Sequence, residues 1–340
     1  MKQVSPSVIR LASVIIDTLV GCYLTSVVAG IVLPSVVHGA AVPPINAVPW
    51  WLVLLGGGIV AAVGLAGASL GKSGLTKSLP SGWHRTVAVN LGWFVLAVTI
   101  VAGWIVTRID PIQLLSSQGL EGAGRIFSAL FTPETSIIGQ ALIAMVETIY
   151  LAFMATAIAV PFSFVLSFFS ARNLMNDAPH RRIIYVVVRF FTNVSRSIEP
   201  LIWAIVFSVW VGIGPFAGML ALVVHTIASV TKQYAEQIED VDQGPMEAIS
   251  ATGASRTQVI WFSVVPQCVI PFLSFTIYRW DINVRMATVI GLVGGGGIGN
   301  MLIQYQGLGQ WHEVGMIVII IAAVVWLMDV ISARVREALK

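Results

Sequence analysis

The chain is poor in charge and nearly free of cysteine. Only 10 % of its 340 residues are Asp, Glu, Lys or Arg, against about 25 % in an ordinary soluble domain, so it cannot clothe a solvated globular surface. With 57 % hydrophobic residues and a mean hydropathy of +0.88, its solvent is a bilayer. The two cysteines, Cys22 and Cys268, both sit in apolar stretches, which argues against a disulfide framework and against a Cys-based metal site. Five scattered histidines, His38, His84, His180, His225 and His312, lack ligand spacing. No cofactor is expected. A net charge of +3 gives no reason to expect a nucleic-acid partner. No Gly-x-x-x-x-Gly-Lys-Ser/Thr loop occurs, so ATP has no phosphate-binding loop here. Once the apolar runs are assigned, no soluble catalytic domain is left over, and the chain is not expected to be an enzyme.

What is present is a series of apolar runs. A membrane helix needs about 20 mainly apolar residues, and eight such runs are predicted, over residues 11–32, 50–70, 86–106, 138–169, 183–211, 216–230, 269–293 and 314–332. The fold class is all-α and polytopic. The first run is too long for a signal peptide and reads as a retained anchor. Pro161 is a candidate kink, and the fourth and fifth runs are open to interruption. Lys2, Arg10, Lys72, Lys77, Arg85, Arg172, Arg181, Arg182, Lys232, Arg256, Arg334, Arg336 and Lys340 fall in alternating loops and at both termini. The intervening connections carry few cations. By the positive-inside rule both termini are expected in the cytoplasm. Trp50, Trp51, Trp83, Trp104 and Trp311 lie near run ends, as an interfacial belt would have them. Residues 111–134 read either as an amphipathic helix on the outer surface or as a disordered loop. No internal repeat is evident. Residues 1–85 look like extra helices added to a transport domain of residues 86–340.

One polar run stands out, residues 236–266, EQIEDVDQGPMEAISATGASRTQVIWFSVVP. Pro245 suits the first position of a short helix, which would put Glu247 in its first turn, where the dipole favours a carboxylate. Ala248 and Ala251 leave a face that another surface can approach closely. Gly253 is placed to end the helix in the left-handed region, and Ser255 to cap a second helix. The expected shape is an L-shaped lug between two spans.

Ionisable residues inside apolar runs are costly and are functional suspects. The fifth run holds RFFTNVSRSIEP, with Arg189, Asn193 and Arg196 at helical spacing on one face and Glu199 within intrahelical reach of Arg196. The seventh holds YRWDINVR, with Asp281 and Arg285 on one face and Arg279 and Asn283 on another. These groups read either as salt bridges pinning helices or as a path for an anion. Four arginines against Glu199 and Asp281 leave cations in excess, and guanidinium forks match phosphate-like oxyanions. Residues 294–299, GGGGIG, contain G-x-G-x-x-G but follow an apolar helix and not a strand, so they read as a tight turn or close packing. Glu147 is a further carboxylate within a span, more readily paired in the bundle than catalytic.

Glu247-Ala248, Gly253 six positions on, and Val265-Pro266 resemble the EAA loop of ABC importer permeases, with Ile249 and Ser263 departing from the usual pattern. The resemblance widens through Glu147-Thr148, Ala171-Arg172-Asn173, Arg196 with Pro200, residues 212–218, and Asn283-Val284-Arg285 followed by the glycine run. Across residues 139–332 it is similar to the permease of phosphonate ABC importers. It implies a type I importer permease in the cell membrane, working as a homodimer with two copies of an ATPase subunit and an extracytoplasmic substrate-binding protein. It also implies that Glu247, Ala248, Gly253, Ala254 and Arg256 couple to the ATPase. Arg189, Asn193, Arg196, Glu199, Asp281 and Arg285 are the candidate pathway residues. A permease for phosphite, phosphate or methionine, or an ion-coupled carrier or channel, are the alternatives. The coupling loop separates the last class, because an ion-driven carrier has no use for it.

Overall fold

The computed structural model describes residues 6–32, 48–69, 83–108 and 110–339, and these are helical, with no strand among them. Residues 33–47 and 70–82, including Lys72 and Lys77 of the expected charge asymmetry, lie outside the described residues, as do Lys2 and Lys340. The chain forms two compact units, Met1–Leu120 and Glu121–Lys340.

The first unit is built on α1 (Pro6–Val27, continued by a π turn at Val28–Val32), α2 (Trp50–Val63) and α3 (Trp83–Thr107). Apolar helices gain little from burial against one another in lipid and rely on close packing of small residues. That is how α1 meets α2: a Cβ on Gly21 would lie 2.4 Å from the Gly56 carbonyl oxygen, and one on Gly57 2.5 Å from the Cys22 sulfur. The apolar helix of the second predicted span covers Trp50–Ala66, shorter than the other spans. Beyond α3, α4 (Pro111–Leu114) starts on the Asp110 carboxylate, which accepts the Ile112 and Gln113 N–H groups at 3.0 Å each. α5 (Ser117–Phe131) follows. The segment is therefore helix and not loop, and Leu114, Leu120, Phe127 and Phe131 leave its apolar face exposed.

The second unit is organised around α6 (Ile138–Ser170), which runs unbroken through Pro161. Ala141, Ala152, Ala155 and Ala159 recur at helical spacing along it and are fully buried, as are Ala217 and Ala221 of α10 (Pro215–Glu239). Side chains this small let the two axes approach closely. Short α7 (Arg172–Met175), then α8 (Pro179–Ser197) and α9 (Pro200–Val211), lie between them in sequence. After α10 come α11 (Gln243–Ala251), α12 (Arg256–Gly291, with a π turn at Ile260–Val264), α13 (Gly297–Gly307) and α14 (Trp311–Ala338).

Six described helices are long and apolar enough to cross a membrane, or seven if the bent pair α8 and α9 is one span. The fifth predicted run is not a single helix. Its halves meet at 93°, because Pro200 has no N–H to give and disfavours helix at the residue before it; Ile198 and Glu199 are extended. The sixth is longer than predicted and reaches Glu239. Its polar continuation is paid for by packing: Tyr234 stacks on Phe272 with ring centroids 3.9 Å apart and shares its hydroxyl with Thr276 Oγ1 at 2.6 Å. The seventh begins well before residue 269, at Arg256, since the wide π turn ahead of Pro266 accommodates a residue that cannot donate.

Residues 294–297 form the turn between α12 and α13. Gly294, Gly296 and Gly297 all have positive φ (87°, 79° and 67°), which only glycine adopts freely. A Cβ on Gly297 would lie 2.3 Å from Thr148 Oγ1, the atom that accepts the Ile298 N–H at 2.9 Å.

Candidate functional site

The lug is present, with a different first cap. α11 begins at Gln243, two residues before Pro245, because the Asp242 carboxylate takes the Gly244 N–H at 3.1 Å. Glu247 consequently sits in the second turn and not the first, beyond the strongest reach of the helix N-terminus. The corner turns at Gly253, φ +80°, whose N–H donates to Ser250 O at 3.0 Å. The next helix starts at Ser255, whose N–H donates to Gln258 Oε1 at 2.7 Å, one half of a capping box. No residue of α11 is buried. Glu247, Ala248 and Gly253 are exposed, and Ala254 is half-buried. Arg256 is tied back by an ion pair with Asp177, which also holds Arg181 at 3.4 Å.

The charged residues of α8 and α12 sort into three groups. Arg189 pairs with Glu239 at 3.0 Å and donates to the Tyr185 hydroxyl at 2.6 Å. Glu239 also accepts the Arg172 N–H at 2.6 Å. This is a clamp at the lug end of α10, so Arg189 is not an uncompensated cation. The second group lies where α12 meets α14: Arg285 pairs with Asp281 one turn away and with Asp329 at 2.7 Å. Asp281 is buried, with its side chain 3 % exposed, and Oδ1 without a partner. The excess counted from sequence is inverted here, two carboxylates to one guanidinium.

The third group faces α10. Asn283 donates to Thr156 and Thr226 at 2.9 Å each, which fixes α6, α10 and α12 in one register. One turn from it Arg279 is 7 % exposed, its Nε buried and without a partner. His225 of α10 is half-buried, with Nδ1 3.3 Å from the Ile198 carbonyl at the break between α8 and α9. Arg196 is exposed and belongs to none of the described ion pairs. The intrahelical reach expected between Arg196 and Glu199 is lost, because α8 ends at Ser197; Glu199 is the residue before α9 and is exposed. Asn193 is exposed on α8.

Sequence spacing could find Asp281 with Arg285, one helical turn apart. It offers no signal for Glu239, Asp329 or His225, nor for the pairing of Asp177 with Arg256, where the partners lie 27 to 79 residues apart along the chain.

Residues 163–340 match the model of the binding-protein-dependent transport system inner membrane component family. A phosphite transport system permease protein of Stutzerimonas stutzeri is 37 % identical over 265 residues, covering 76 % of this chain and 94 % of that one. A phosphate-import permease protein of Mycolicibacterium smegmatis is 31 % identical over 246 residues, 72 % of this chain and 45 % of that one. Among solved structures, a chain of the MetNI methionine ABC transporter in an inward-facing conformation superposes with a TM-score of 0.51 at 20 % identity, over 61 % of this chain and all of that one. The all-helical bundle thus has the fold of an ABC importer permease. Family model, relatives and apolar helices agree: this multi-pass inner-membrane chain belongs to the binding-protein-dependent transport system inner membrane component family.

Proposed function

We propose that the chain is the membrane subunit of an ATP-driven importer for phosphonate-class oxyanions, with ATP hydrolysed on a separate subunit. The observation that carries the reading is the lug. A capped helix with no buried residue, held at a glycine corner and braced by Arg256 on Asp177, is a surface built to be touched from outside the bilayer. The names of the relatives support an oxyanion of phosphorus, and phosphite and phosphate stand beside phosphonates as substrates. Two permease copies, two ATPase copies and an extracytoplasmic binding protein complete the assembly. Residues 1–85 add helices to a transport domain of residues 86–340; α3 then serves the transport domain while packing in the first compact unit.

Two measurements test this. Pull-down of the permease should retain an ABC-type ATPase, and Gly253→Val should abolish ATP-dependent uptake while the protein still inserts, since a β-branched residue resists positive φ. Glu247→Lys should weaken ATPase retention. Undiminished uptake in both variants would refute the coupling role. For orientation, a cysteine at Gly122 should be labelled from outside and one at Asp177 only after permeabilisation; the reverse pattern would invert the topology. Uptake of labelled phosphite, methylphosphonate and phosphate then ranks the substrates.

A further inference from the structure

Arg279 poses a problem that the fold does not solve by itself. A guanidinium buried in an apolar bundle needs compensating charge or hydrogen bonds. Arg189 has Glu239 and Arg285 has two aspartates. Arg279 is 7 % exposed, with an unpartnered Nε, and enters no described hydrogen bond or ion pair. The chain places two further basic side chains near it. His225 reaches the Ile198 carbonyl at the break between α8 and α9, and Arg196 lies two residues before Ile198 at the end of α8. Asn283, one turn from Arg279, bonds Thr226, the residue after His225. Helices α8, α10 and α12 thus bring three nitrogen-bearing side chains to one region, and none of them belongs to a described ion pair.

The surroundings hold this arrangement in place. Asn283 locks α12 to α6 and α10 one turn from Arg279. Trp203 Nε1 donates to the Ser195 carbonyl at 3.3 Å, fixing α9 against the end of α8 beside Arg196. His225 Nδ1 faces a carbonyl oxygen, the Ile198 O, and so carries the proton that it donates. The ring's Nε2 is left as an acceptor in the neutral form.

We propose that Arg196, His225 and Arg279 form a binding station for a small tetrahedral oxyanion of phosphorus inside the second unit. The substrate supplies the negative charge that the protein withholds. Guanidinium N–H groups donate to P–O oxygens, charge-assisted and planar as such oxyanions prefer, and His225 Nε2 accepts from a P–OH group when the anion carries one. The station rests on the proposed function and narrows it, replacing Arg189, Asp281 and Arg285 of the sequence reading with Arg279 and His225. A weak site of this kind suits transport, since an ion must leave as readily as it enters.

The test uses the full permease–ATPase complex in lipid nanodiscs, with phosphite as probe and chloride as control. Phosphite should raise the melting temperature of the parent complex and chloride should not. Arg279→Gln should assemble at parental yield, lose the phosphite-induced shift and lower ATP-driven uptake by at least about tenfold, as expected for one charge-assisted contact. Arg279→Leu should melt no lower than the parent while also failing to transport, because it removes an uncompensated charge; a purely structural arginine would instead melt lower. Parental uptake and an intact phosphite shift in Arg279→Gln would overturn the station while leaving the importer reading standing. An equal shift from chloride would overturn the oxyanion assignment. A parent complex that moves no phosphorus oxyanion at all would overturn both.

Discussion

The two faces of α12 handle buried charge in opposite ways. Toward α14, Arg285 meets Asp281 and Asp329, and the cluster holds more carboxylate than cation. Toward α10, one turn from Asn283, Arg279 is buried with an unpartnered Nε and belongs to no described ion pair. The same helix, within two turns, carries an arginine held by carboxylates and one without any described ion pair. The difference separates arginines that pin helices from one that, on the proposal above, takes its partner from the substrate.

Variants on the two faces sharpen the contrast. The largest effect is expected on the closed face. Arg285→Gln leaves the buried Asp281 without its cation, a loss of about 3 kcal/mol, the lower end for a broken buried pair because Arg285 itself is exposed, read as lost yield and a lower melting temperature. Adding Asp281→Asn should restore both yield and uptake, because replacing both partners of a pair can be nearly neutral. Restored yield without uptake would instead return Arg285 to the transport path. Next is Asn283→Ala, which removes the amide bridging Thr156 and Thr226 at about 1–3 kcal/mol; thermal melting of the detergent-purified protein reads it. Tyr234→Phe removes the hydroxyl shared with Thr276 and directed at the Phe272 carbonyl, and about 1 kcal/mol is expected from a single hydrogen bond. On stability the smallest change belongs to Arg279→Leu on the open face, so a large destabilisation there would erase the contrast.

The lug was legible because its signals are local. Gly253 and Ser255 punctuate the chain wherever it folds, and both hold their predicted places. Pro245 misled because a proline tolerates the first turn generally, whereas Asp242 supplies an actual acceptor and sets the start. The Asp281–Arg285 spacing was readable for the same local reason. The break before Pro200 was visible as a proline, but its 93° angle depends on how α9 packs, which periodicity does not encode. Charge counting failed most instructively. Arg189 looked like part of an excess until Glu239, fifty residues on, closed beside it. His225 looked like a scattered histidine until α10 carried it to the Ile198 carbonyl at the break between α8 and α9. Pairing across helices is a property of the packed bundle, and a single chain read in order holds no local trace of it.

The length of α12 has a mechanical meaning. From Arg256, at the base of the lug, to Gly291 it is one span. Arg279 lies twenty residues beyond Val259, roughly 30 Å at the helical rise. The helix is thus a lever, with the exposed corner at one end and the open guanidinium well along the shaft. Past the π turn, from Val265 onward, it has no break. A tilt of about 5° imposed at the lug sweeps Arg279 sideways by roughly 3 Å over that arm, about the length of a hydrogen bond. A displacement of that size would make or release the contacts of an anion held as proposed above.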